Sequence, residues 1–336
     1  MNIVEKCQKL INIDSPSGYI QEIQKYLVDF AISNELEYKI TSKGNVIIDA
    51  IVAGKPQIMV ATHVDTLGLM VKSINEDGTL NVTPIGGPIA STINGEYAKV
   101  YTRAGQVYNG TIILDSSAAH VYADSNKQVE FKDLRVRLDL EVKNKEQVLD
   151  AGIANGDYIC YDPKFRYAEG YINSRFLDDK LCAAISLEIL EQFATGRLNL
   201  KQSVSFAFTM YEEVGHGLAY VPQNINHVIA MDMGCVGSDL DGSEFKVSIC
   251  AKDSSGPYDY KSISDMLKIC NEHKLDYALD IYPFYNSDAS AALRGGNDIK
   301  ATLIGPGIAA SHGMERAHER GITNTFKLLV QYLQQN

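Results

Sequence analysis

Across most of this chain, segments of helical periodicity alternate with short apolar runs, but from about residue 70 to 165 that alternation stops. Before the break, "GYIQEIQKYLVDFAISN" (18–34) reads as a helix, and "GNVIIDAIV" (44–52) and "PQIMVATHVD" (56–65) read as strands. After it come a long helix at 177–194, strands at 203–213 and 227–234, a helix at 259–274, a strand at 300–307 and a last helix at 322–335. Helix and strand in alternation predict a layered α/β sheet with helices on both faces. The interrupting stretch carries short alternating runs broken by turn residues, such as "YAKVYTRAGQVYNGTIIL" and "LRVRLDLEV", with one short helix candidate at "NKEQVLDAG". That is the pattern of a small all-β barrel or sandwich. The expected organisation is an α/β unit built from 1–69 and 163–336, with a β unit of 70–162 inserted into it.

In open α/β sheets, ligands sit at the carboxyl ends of the strands. The strand at 56–65 ends in His63 and Asp65, and the strand at 203–213 ends in Glu212 and Glu213. Asp232 lies near the end of "HVIAMDMG", and "KATLIGPGIAASHG" runs out into His312. The long helix opens with Asp178 and Asp179. Taken singly, most have ordinary explanations: a core histidine, turn residues, or acids favoured at a helix N-terminus by its dipole. The adjacent glutamates are harder to explain, because two carboxylates at the end of a buried strand repel each other and are costly to desolvate unpaired. Bound cations would answer them. Two histidines with three carboxylates suit a pair of borderline divalent ions such as zinc or cobalt, whereas magnesium favours oxygen ligands alone. Two ions sharing a bridging carboxylate and an activated water leave one glutamate free as a base.

Composition excludes several other classes. A formal net charge of −11 works against nucleic acid or an anionic membrane surface as partner. No apolar run approaches the roughly 18 residues of a membrane span. The opening residues space Ile3, Val4, Cys7, Leu10 and Ile11 as an amphipathic helix and lack a signal-peptide layout, so a cytoplasmic location is expected. Six scattered cysteines, with no C-x-x-C pair, read as small core residues.

At these residues the chain resembles the family of TET-type dinuclear metalloaminopeptidases, which includes glutamyl and deblocking aminopeptidases. The motifs that carry the likeness are "HVDTLGLMV", "NSRFLDDKLC", "YEEVGHG", "AMDMG" and "ASHGMERAH". The resemblance implies a zinc-peptidase-like catalytic domain and an inserted β domain used in assembly, up to a hollow dodecamer. It implies His63, Asp178, Glu213, Asp232 and His312 as metal ligands, with Asp178 bridging two divalent ions. It implies Glu212 as general base and Asp65 as the residue that orients the His63 imidazole. Asp288, in "YNSDASAAL", is either a helix cap or a supporting acid. The chain departs from the family pattern at Thr66, where an acid is usual, and at Lys180, where arginine is common.

The expected activity is removal of N-terminal residues from short peptides, by a metal-bridged water that attacks the scissile carbonyl while Glu212 takes its proton. Two other readings stay open. One is a hydrolase of the same fold acting on a non-peptide amide, an acyl amino acid or a glycoside. The other is a metal-binding scaffold without catalysis, against which the retained Glu212 argues. A glycosidase is expected to use two carboxylates without metal, so chelation separates it.

Overall fold

The computed structural model describes residues 2–124 and 127–335. The chain begins with α1 (Ile3–Ile11), whose Ile3, Cys7, Leu10 and Ile11 recur at helical spacing and are all buried. Next come α2 (Gln21–Ser33), β1 (Glu37–Ile40), β2 (Val46–Ala50) and β3 (Ile58–His63). The following segment supplies β4 (Gly68–Ile74), β5 (Leu80–Ile85), α3 (Ala90–Ile93), β6 (Tyr97–Tyr101), β7 (Val107–Leu114), β8 (Leu134–Leu138), α4 (Lys145–Asp150) and β9 (Tyr158–Tyr161). The chain continues with β10 (Arg166–Ala168), β11 (Tyr171–Ser174), α5 (Leu177–Ala194), β12 (Val204–Thr209), β13 (His227–Met231), β14 (Gly234–Cys235), β15 (Val247–Asp253) and β16 (Gly256–Pro257). It closes with α6 (Tyr260–Glu272), β17 (Tyr277–Ile281), α7 (Asp288–Arg294), β18 (Lys300–Ile308), β19 (Glu315–His318) and α8 (Glu319–Leu333).

Two compact units result. One comprises Met1–Asp65 with Lys164–Asn336, the other Thr66–Pro163. The first is a layered α/β structure on a sheet of order β1-β2-β12-β3-β13-β18-β15-β16, with β14 beside β18 and β17 beside β15. Its four central strands, β12, β3, β13 and β18, run parallel. Parallel strands are buried on both faces, and β3 and β12 are buried at every position. Alternate residues serve opposite faces: Val60 and Phe206 join the large core under α1, α5 and α8, while Met59 and Ala207 join a smaller core under α7. Helix α5 is buried along most of its length, with Lys180 and Glu188 among its buried residues.

The second unit is a closed antiparallel barrel of order β4-β5-β8-β7-β6-β9. Closure removes sheet edges that would otherwise template pairing with other chains. The helix expected at "NKEQVLDAG" is α4, capped by Asn144, whose side chain accepts from the Gln147 peptide N–H at 3.0 Å. Short β1, β10, β11 and β19 lie outside the expected strands, each being four residues or fewer. No helix among the described residues is long and apolar enough to cross a membrane.

Candidate metal centre

Four parallel strands deliver their carboxyl ends to one edge of the sheet. His63 is the last residue of β3, paired in register with Thr209, the last of β12. Glu212 and Glu213 follow β12, Asp232 follows β13, and His312 follows β18. Helix α5 brings Asp178 and Asp179 to the same place. Their backbone is not helical, and the peptide joining them is cis.

The seven residues read from the sequence as site residues lie in this one cluster. His63 Nε2 is 3.1 Å from Asp178 Oδ1 and 3.7 Å from Glu212 Oε2. His312 Nε2 is 3.5 Å from Asp178 Oδ2 and 3.5 Å from Glu213 Oε2. Ligand atoms of His63, Asp178 and Glu213 fall within 4.8 Å of one another, and so do those of His63, Asp179 and Asp232. The Glu213 side chain is 4% exposed and that of Glu212 is 13% exposed.

The role expected of Asp65 takes a different form. The His63 ring nitrogen Nδ1 is 3.0 Å from the backbone carbonyl of Asp65 and 3.6 Å from its carboxylate. The carboxylate itself accepts the peptide N–H of Glu212 at 3.1 Å, that of Glu213 at 3.3 Å, and the Ser17 hydroxyl at 2.5 Å. Asp65 thus holds the backbone of both glutamates while its carbonyl meets the imidazole.

The turn that carries Glu212 and Glu213 is fixed from its other side as well. Asn45 accepts from the Met210 peptide N–H at 3.2 Å and donates to the Gly217 carbonyl at 2.9 Å. Asp288 accepts from the Thr209 hydroxyl and, at 2.7 Å, from the Leu218 peptide N–H. It does not cap α7; Ser287 does, leaving Asp288 in the first turn and buried. The glycines of "YEEVGHG" follow from this packing. Gly215 has φ +84°, and a Cβ on Gly217 would strike the Asp288 carboxylate.

Sequence reasoning missed Glu315. Its carboxylate accepts the peptide N–H of Asp178 at 3.1 Å and that of His312 at 3.0 Å, tying the start of α5 to the segment after β18. His312 sits at φ +63°, a conformation of order 1 kcal/mol or more above the ordinary regions for a residue with a side chain. Glu315 holds it there. The signal was present in "SHGMER", an acid three residues past the histidine, but such a spacing is common in plain turns. Asp179, which the sequence left as either a ligand-type acid or a helix-terminus acid, accepts the His63 peptide N–H through Oδ2 at 3.2 Å. Its Oδ1 is buried without a hydrogen-bond partner.

The electrostatics call for a cation. Burial, with repulsion from neighbouring acids, holds the Glu212, Glu213 and Asp179 carboxyls well above the usual carboxylate range. Asp232 is pushed up to about 7 by burial and by Asp178. Burial also acts to raise Asp178, but the hydrogen bonds from His312 and His63 outweigh it and hold that carboxyl low. Burial disfavours a charged His63, yet its bond to Asp178 and the surrounding acids lift its pKa well above the ordinary value. The two imidazoles of His63 and His312 therefore face more carboxylates than they can neutralise. Nitrogen and oxygen donors held this close, with an orphaned carboxylate oxygen among them, fit a bound divalent metal ion.

The profile of the M42 glutamyl aminopeptidase family matches residues 44–328. The putative aminopeptidase YhfE of Bacillus subtilis (strain 168) is 38% identical over 337 residues, 98% of this chain and 97% of its own length. Among solved structures, aminopeptidase APDkam598 from the archaeon Desulfurococcus kamchatkensis is 25% identical with a TM-score of 0.86, over 99% of this chain and 95% of that one. The Pyrococcus horikoshii TET1 peptidase shares the fold, with a TM-score of 0.87 and 24% identity over the whole of both chains. A family match over most of the chain and a relative aligned over nearly all of it give the same assignment: this protein belongs to the M42 glutamyl aminopeptidase family and is a hydrolase of the aminopeptidase class.

Proposed function

We propose that the protein is a dinuclear metal-dependent aminopeptidase that removes N-terminal residues from short peptides. The observation that carries this reading is the position of Asp178, whose two oxygens face two different imidazoles, those of His63 and His312. A carboxylate so placed suits a bridge. One ion would be held by His63, Asp178 and Asp232, the other by Asp178, Glu213 and His312. Bound divalent ions supply Lewis acidity, which polarises a scissile carbonyl and acidifies the attacking water.

The remaining chemistry belongs to the chain. Glu212 is the general base: it takes a proton from the attacking water at a carboxylate oxygen and returns it to the leaving amine. Burial raises its affinity for that proton, so it can hold the proton between the two steps. Asp65, through the Glu212 peptide N–H, fixes the carboxylate beside the site. The buried acids also favour a substrate with a free ammonium group next to the scissile bond.

We assign subunit contacts to the barrel unit, which leaves Tyr97 69% exposed and Val107 49% exposed. The P. horikoshii TET1 peptidase can assemble into a tetrahedron or a large octahedral shell, another solved structure with the same fold is a dodecamer, and a homo-oligomer of twelve subunits fits that likeness. Six free cysteines suit a reducing, cytoplasmic setting. Mass spectrometry of a free-amine tripeptide and its N-acetylated counterpart, incubated with zinc- or cobalt-loaded protein, tests the function. The free-amine peptide should lose its first residue and the acetylated one should persist. Shortening from the carboxyl end, or equal cleavage of both, contradicts the aminopeptidase reading.

A further inference from the structure

Asp253, the last residue of β15, is a buried carboxylate that lies outside the ligand cluster. Its Oδ1 accepts the Ser255 peptide N–H at 2.7 Å. Its Oδ2 accepts the Tyr258 hydroxyl at 2.7 Å and the Ser290 hydroxyl as well. The Tyr258 hydroxyl also lies 3.1 Å from that of Ser287, the residue before α7. Ser290 in turn accepts the Ser287 peptide N–H at 3.3 Å. Asp253 and Tyr258 therefore grip the first turn of α7 at two serines, and all four side chains are buried.

Between those two serines stands Asp288, whose carboxylate makes a different set of bonds. It accepts the Thr209 hydroxyl and, at 2.7 Å, the Leu218 peptide N–H. Thr209 and Leu218 are the two ends of the turn that carries Glu212 and Glu213. The first turn of α7 is thus a bracket, fixed to Asp253 on one side and to both ends of the glutamate turn on the other.

Among the described residues the donors to the Asp253 carboxylate are all neutral. Burying a carboxylate is costly, and packed apolar side chains hold an element in place at lower cost. What hydrogen bonds to a carboxylate add is direction, because they are shorter and more exacting than bonds between neutral groups. General base catalysis needs that exactness, since a misplacement of about 1 Å can cost about a hundredfold in rate.

We propose that Asp253 is a positioning residue for the general base: through Ser290, Ser287 and Asp288 it sets where the Glu212 carboxylate stands. The proposal rests on the reading of Glu212 as base. Removing the grip on α7 leaves every ligand side chain present but frees Asp288, and the glutamate turn with it, to shift.

The test is steady-state kinetics on a free-amine tripeptide at saturating metal, below the melting range of each variant, with metal content measured on the same samples. Ser290→Ala and Asp253→Asn should lower kcat by at least about tenfold, with KM and metal content unchanged. Tyr258→Phe should lower it less, because the bond from Ser290 remains. Ser290→Thr keeps the hydroxyl and should restore most of the loss. In a Glu212→Gln background, adding Ser290→Ala should cost little more, because the group it positions has already gone. A role in stability alone would lower the melting temperature while leaving kcat per folded site as in the wild type. If Asp253→Asn does not fold, Ser290→Ala, which removes one buried hydroxyl, carries the test. Unchanged kcat in folded Ser290→Ala overturns the proposal. So does a full further loss when Ser290→Ala is added to Glu212→Gln. Wild-type turnover in Glu212→Gln itself would overturn the base reading instead, and no outcome for Ser290→Ala alone does that.

Discussion

Asp178 Oδ1 lies 3.1 Å from His63 Nε2. The other oxygen of the same carboxylate is directed at His312. In the proposed dinuclear site a carboxylate shared in this way would serve two ions, and His63 one. Asp178→Ala should therefore lose both ions, and His63→Ala should keep one. Elemental analysis of the purified variants after dialysis checks this. Two tightly held ions in Asp178→Ala would remove Asp178 as the bridge and turn attention to Asp179.

Asp65 should matter through the backbone it holds. Asp65→Asn offers one acceptor oxygen in place of two to the Glu212 and Glu213 peptide N–H groups and the Ser17 hydroxyl. Changes to groups that orient a metal site cost about 10–100-fold in affinity or activity. Turnover should fall by that order, and Ser17→Ala should fall less, because the two peptide bonds remain. The measurement is kcat on a dipeptide substrate at saturating metal. Unchanged kcat in both variants would show that the turn holds itself.

The acidic cluster sets a dependence on pH. In the metal-free protein, Asp232 keeps its proton up to about 7, well above the usual carboxylate range. The folded state then binds more protons than the unfolded one between that range and pH 7, so folding stability falls as pH rises through this window. Asp232→Asn removes the buried charge while keeping the oxygen that accepts the Met233 peptide N–H. In EDTA at pH 8, Asp232→Asn should melt a few degrees above wild type, and the gap should close towards pH 4. With metal the order should reverse, since the variant loses a ligand. Thermal melts across that pH range decide it. A variant less stable than wild type in EDTA at pH 8 would contradict this account of the cluster.

Assembly should depend on the barrel unit. Tyr97 lies on β6 and Val107 on β7, both exposed. Tyr97→Asp combined with Val107→Asp places charge on that surface and should lower the particle mass measured by light scattering. An unchanged mass in a folded double variant would move the contacts to the α/β unit.

The α/β architecture was legible because long helices and doubly buried strands write strong periods into the sequence. "IMVATH" is apolar enough to mark β3 unaided, and the polar residues directly after such strands mark the ligand edge. What the sequence hid was local. Ser17 and Glu315 reach the site from segments with no periodic pattern, and their roles rest on one or two hydrogen bonds made to the site. The capping of α7 depended on one residue, Ser287 rather than Asp288, a distinction that "NSDAS" leaves open. Asp179 looked like a helix-terminus acid because the break in helical backbone at the start of α5 has no sequence signature.

The central claim is that Glu212 is the base and Glu213 a ligand, although the two are adjacent. Replacing Glu212 by glutamine removes the proton acceptor and leaves the donors of His63, Asp178, Glu213, Asp232 and His312 in place. Metal content and peptide turnover measured on the same preparation of Glu212→Gln test this most directly. The account predicts two ions per chain, as in the wild-type protein, with turnover lowered by at least about a hundredfold. Turnover near wild type, or loss of an ion with Glu212→Gln, would contradict it.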